Sequence, residues 1–165
     1  MKIIIDEEQF ARTLKRMTHE IIEKNEDLSK IILVGIERKG TPIAKEIKEL
    51  INKFEGISVP VEVIDISSHR DDDKRNLDTV IHFNESIDEK VIILVDDVLY
   101  TGRTVRAAMD AIMDKGRPAK IKLAVFVDRG HRELPIRADF IGKNIPTSKD
   151  ETIICDFDNK KVILK

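Results

Sequence analysis

The sequence predicts an α/β protein with a central, mainly parallel sheet flanked by helices. Three observations predict it. The segments 31–36 and 91–95 are short apolar runs without polar alternation, as in strands covered on both faces, and 120–127 reads as a further strand. The first two are each followed by a glycine-containing turn and then by apolar residues at helical spacing. Strand and helix keep alternating up to about residue 127, the pattern of a parallel sheet with right-handed crossovers.

In chain order, residues 2–5 read as a short strand, and Asp6 with Glu7 and Glu8 opens a helix to about Asn25. Phe10, Leu14, Met17 and Ile21 fall on one buried stripe of it. Arg12, Lys15, Arg16 and His19 share a different face, which by itself reads as a solvated face salted with Glu8, Glu20 and Glu23. After the strand at 31–36, Ile43, Ile47, Leu50 and Ile51 carry a second helix, with Thr41 as expected N-cap and Pro42 as first helical residue. Arg38, Lys39 and Gly40 then occupy a basic strand-to-helix loop on the edge where open α/β sheets bind ligands, and they suit an anion. A third strand is expected at 59–66. The charged stretch 67–76 has no apolar anchor and is expected to be mobile without ligand, with a short returning strand at 79–83.

The sequence is centred on residues 91–104. Here an apolar run meets Asp96 and Asp97, and Tyr100-Thr101-Gly102-Arg103-Thr104 leads into a helix from near Arg103 to about Gly116. The first amides of a helix lack intrahelical acceptors and carry partial positive charge, so Thr101, Gly102 and Thr104 form a cradle for an anion, expected to be a monophosphate. The loop is neither GxxxxGK[ST] nor GxGxxG. Two adjacent carboxylates repel unless donors or cations meet them, which a ribose diol or hydrated Mg²⁺ would do; starting a turn is their plainer alternative. Further on, 120–127 is a strand, and 152–157 and 161–164 form two more around an Asp158-Asn159 turn.

Composition bounds the partners. The 165 residues predict one domain, and 41% hydrophobic content supports a full, mostly aliphatic core. A net charge of −2 from 29 basic and 31 acidic residues gives no global attraction for nucleic acid, so such a partner needs a local patch. The single cysteine, Cys155, excludes an internal disulfide and fits a reducing cytoplasm. Residues 1–6 are too short and too soon charged for a signal peptide, and no apolar run reaches ~20 residues, so no membrane partner is expected.

Residues 91–104 resemble the phosphoribosyl-pyrophosphate (PRPP) signature of type I phosphoribosyltransferases. That resemblance implies that Asp96 and Asp97 hold the ribose hydroxyls and act in catalysis, and that Thr101, Gly102, Arg103 and Thr104 bind the 5′-phosphate. It further implies that Arg38, Lys39 and Gly40 contact pyrophosphate, that Arg70 reaches it from a closing loop at 67–79, and that Mg²⁺ arrives with PRPP. Purine-using relatives typically carry aspartate where Tyr100 stands, which points to a pyrimidine. The longer match, 95–107 with 127–139 and 141–147, is similar to the bifunctional PyrR family, regulators of pyrimidine operons that are also uracil phosphoribosyltransferases. This resemblance implies a single domain over 1–165, with a core at about 30–130 and a hood from about 1–6 and 131–165. Uracil would be held by Tyr100, Asp128, Phe140 and Ile141. Leader mRNA of pyrimidine operons would be bound by Lys15, Arg16, His19, Arg132 and Arg137, with His131 as a further candidate. Uracil, UMP and UTP are the expected small ligands, and a homodimer or higher homo-oligomer the expected assembly. Two alternatives stay open, a nucleotide sensor with little turnover and a salvage enzyme without RNA function.

Overall fold

The computed structural model describes residues 1–66 and 80–165. The chain runs β1 (Lys2–Ile5), α1 (Glu7–Lys24), β2 (Ile31–Ile36), α2 (Gly40–Glu55), β3 (Val61–Asp65) and β4 (Val80–Ile81). It continues through β5 (Val91–Leu99), α3 (Arg103–Met113), β6 (Lys120–Asp128), β7 (Phe140–Asn144), β8 (Ile153–Asp156) and β9 (Lys161–Leu164).

The large sheet has the order β4-β3-β2-β5-β6-β7. Strands β3, β2, β5, β6 and β7 are parallel to their neighbours, and β4 is antiparallel to β3. The uninterrupted apolar runs are explained by two cores. Ile31, Leu33, Ile93 and Val95 pack on one face with α1, α2 and the small sheet, whereas Ile32, Val34, Ile92 and Leu94 pack on the other with α3. Successive side chains of a strand point to opposite faces, so a strand between two cores has no place for polar residues. The terminal segments pair as an antiparallel sheet, β1-β9-β8, which forms the hood.

Several bounds differ from the sequence-based expectation. Strand β5 continues through both aspartates to Leu99 because β6 keeps pairing with it, up to Leu99 opposite Asp128. Helix α2 starts at Gly40 with Lys39 as its N-cap, so Thr41 is not the cap. Pro42 still fits, since the first-turn N–H it lacks would have had no intrahelical acceptor. Helix α3 stops at Met113, short of Gly116. Strand β7 had no sequence signal, and it carries the large sheet beyond the expected core bound of 130.

Candidate functional site

Loops 37–39 and 100–102 and the segment after Asp128 leave the C-terminal ends of β2, β5 and β6, which are neighbours in the sheet. Helix α2 follows β2 onto one face and α3 follows β5 onto the other, and such a crevice is where open α/β sheets bind ligands.

At the end of β5 the chain turns through Gly102, the N-cap of α3, at φ 96°, a left-handed conformation that glycine adopts without steric cost. The Thr101 hydroxyl accepts from Arg103 N at 3.3 Å. The Thr101 carbonyl accepts from Glu133 N at 2.9 Å and Leu134 N at 3.3 Å, so the 130–136 segment braces the turn. The α3 amides beyond the turn have no intrahelical acceptor, which leaves a site for an anion. Arg103 Nε pairs with Glu133 at 3.2 Å, with both side chains more than half exposed.

The acidic pair lies within β5. Asp96 is 4% exposed and accepts from Asp97 N, while half-buried Asp97 accepts from Val98 N, each at 2.8 Å. Gly40 brings the start of α2 directly onto this point: a Cβ there would stand 2.2 Å from the Val95 carbonyl and 3.1 Å from Asp96 Cα. Arg38 and Lys39 are exposed beside it, and Lys39 Nζ donates to the Cys155 carbonyl at 3.4 Å, linking this loop to the hood. Thr41 is buried, and its hydroxyl has no partner among the described residues. Burial, and then the charge of Asp97, push the Cys155 thiol up, which favours its protonated form.

Beyond β6, Asp128, Arg129, Gly130, His131 and Arg132 line a cavity of about 630 Å³ with Asn144, Pro146 and Thr147 from the end of β7. Tyr100 is exposed between this cavity wall and the Thr101 turn, with the Arg129 guanidinium 4.1 Å from its ring centroid and His131 edge-on at 5.9 Å. Phe140 and Ile141 do not reach the cavity. Phe140 is 3% exposed in the core and Ile141 packs on the opposite face; they pair with Ala124 and Val125, whereas Asn144 pairs with Asp128 at the ligand end. Four residues along a strand is about 13 Å. From β7 and its end it is Asn144, Pro146 and Thr147 that line the cavity, which only the register of β7 could have shown.

Lys15, Arg16 and His19 lie on the outer face of α1, all exposed. Arg16 donates to Glu20 at 2.8 Å and to the carbonyls of Ile141 and Gly142 on β7. His19 stacks on Phe54 at 4.4 Å. A cavity of about 350 Å³ between α1 and β7 adds Arg12 and Lys143 beside Arg16. Arg132 and Arg137 are exposed on the segment joining β6 to β7, where Arg132 donates to the Ile136 carbonyl at 3.1 Å. Arg70 and the rest of the expected closing loop lie outside the described residues.

Sheet order, hood and phosphate-type turn together are the type I phosphoribosyltransferase fold. The phosphoribosyl transferase domain family matches residues 2–158. Among solved structures, a hypoxanthine phosphoribosyltransferase of Trypanosoma cruzi is 20% identical with a TM-score of 0.78, covering 99% of this chain and 95% of that one, a likeness of fold. A protein of Clostridium perfringens named Bifunctional protein PyrR is 56% identical over 154 residues, 91% of this chain and 86% of the relative. One of the same name from Fusobacterium nucleatum is 54% identical over 157 residues, 93% and 89% of the two chains. The chain belongs to the phosphoribosyl transferase family and, within it, to the bifunctional PyrR proteins.

Proposed function

We propose that the protein transfers the phosphoribosyl group of PRPP to uracil and also binds the leader mRNA of pyrimidine operons, in response to uridine nucleotides, to attenuate their expression. The observation that carries this reading is the convergence of the Gly40 loop, the acidic pair and the Gly102 turn on adjoining strand ends, beside a cavity of a size to admit a planar ring. In the reaction the bond from C1′ to pyrophosphate breaks, its electron pair leaves with pyrophosphate, and uracil N1 bonds to C1′ and gives up its proton.

Asp97 and Asp96 accept from the ribose hydroxyls, and the Thr101–Thr104 turn binds the 5′-phosphate. Arg38, Lys39 and the Gly40 amide face pyrophosphate. Tyr100, Asp128, Asn144 and Thr147 surround uracil. Catalysis of this kind rests on positioning and on charge complementarity to the leaving group, without a covalent intermediate. Mg²⁺ would arrive with PRPP, its charge facing the carboxylate oxygens of Asp96 and Asp97, the hard oxygen donors this ion takes. When bound, the ion neutralises charge on the leaving pyrophosphate.

A steady-state assay with PRPP, Mg²⁺ and uracil should show diphosphate released in step with UMP. Asp97→Asn should lower that rate about 100-fold, while affinity for operon-leader RNA in a filter-binding titration stays unchanged. Equal loss of both would argue against separate sites. RNA binding by a wild type that releases no diphosphate would make the protein a sensor, and turnover without selective RNA binding a plain salvage enzyme.

A further inference from the structure

Arg129 follows β6 directly, and although charged it is only 7% exposed. A guanidinium is buried at a large cost unless acceptors meet its N–H groups. Here Nε donates to Thr147 Oγ1 at 3.0 Å, and one terminal nitrogen donates to the Ser148 carbonyl at 3.0 Å and the Glu151 carbonyl at 2.7 Å. The Thr147 hydroxyl donates back to the Arg129 carbonyl at 3.1 Å. The guanidinium carbon lies 4.1 Å from the Tyr100 ring centroid. His131 closes the group, with Nε2 2.6 Å from the Thr147 carbonyl. One buried cation therefore joins the end of β6, the loop that walls the larger cavity, and the residue immediately before the phosphate turn.

We propose that Arg129 is a positioning residue for the base. Its guanidinium clamps the 147–151 loop and the Tyr100 ring together, and thereby sets where a ring in the cavity lies relative to a sugar held at Thr101–Thr104. This rests on the reading of that cavity as the uracil site. Arginine is needed because its planar fork meets acceptors along one loop while its face covers an aromatic ring; lysine keeps the charge but has neither plane nor fork. Its partners Thr147, Ser148, Glu151 and Tyr100 lie on the loop after β7 and just past the end of β5, and none of them belongs to the 37–40 loop. Loss of the clamp therefore weakens use of uracil and spares use of PRPP.

The test is initial-rate kinetics of Arg129→Lys with each substrate varied in turn. KM for uracil should rise about tenfold, with KM for PRPP within about twofold of wild type. Thr147→Val removes the acceptor of Nε and should show the same one-sided rise, whereas Thr147→Ser keeps the hydroxyl and should show a clearly smaller rise than Thr147→Val. Combined with Arg129→Lys, Thr147→Val should add little, because the two residues act as one unit. A general loosening would instead raise both KM values by the same factor, and that result, or full additivity, overturns the proposal. Should Arg129→Lys fail to fold, the Thr147 pair decides by the same criterion. Wild-type turnover with uracil separates the two readings: its absence removes the base site and this proposal together, while normal turnover with equal KM changes removes the role of Arg129 alone.

Discussion

Gly40 shows why single positions carry the site. With a Cβ expected 2.2 Å from the Val95 carbonyl, Gly40→Ala has to push α2 away from β5. Overpacking of this kind costs about 1–3 kcal/mol, so the urea midpoint should fall. Turnover measured where the variant is still fully folded should fall as well, because the displaced residues are those beside Asp96. Retained turnover would show that the loop does not need its seat on β5. The placement of Asp96-Asp97 and Thr101-Gly102 at one strand end was legible because they sit in one contiguous stretch, where spacing along the chain is spacing in the fold. Phe140 and Ile141, expected at the base, are not among the residues that line the cavity. Which residue of β7 reaches the strand end beside Asp128 depends on its register with β6, and a register shift leaves no mark in local composition.

Helix α1 agreed with its sequence at both ends because its signals are local. The Asp6 side chain accepts from Gln9 N at 2.9 Å while the Gln9 side chain accepts from Asp6 N at 3.0 Å, a complete capping box. Asp6→Ala should lower stability by about 1 kcal/mol, seen as a lower urea midpoint with unchanged slope; an unchanged midpoint would mean that packing of the Phe10 stripe alone fixes the helix start. The start of α2 was less legible, since Thr41-Pro42 has the composition of a cap while tertiary packing places the helix start earlier. A Cβ on Gly35 would stand 3.1 Å from the Thr41 hydroxyl, which marks that hydroxyl as turned toward β2. Strand β5 outran its apolar run because pairing with β6, rather than side-chain polarity, decides where a strand ends.

For the whole molecule, a net charge of −2 leaves RNA binding to local groups, for which we propose Lys15, Arg16 and His19 on α1 and Arg132 and Arg137 on the 129–139 segment. If four of these meet phosphates, affinity for leader RNA should fall with salt at a logarithmic slope of about −3, and Arg137→Ala should flatten it by roughly one contact's share. A slope near zero in a salt series would remove the phosphate contacts. The contact of Arg16 with β7 could not be read from the chain, because it depends on α1 lying across that strand. β7 is also the last strand of the large sheet, and an unguarded edge invites strands from other molecules. Arg16 spans that edge, with its guanidinium on the carbonyls of Ile141 and Gly142. A nucleic acid that engages Arg16 thus competes with the protein's own backbone, and gains less there than it would from an arginine surrounded only by water.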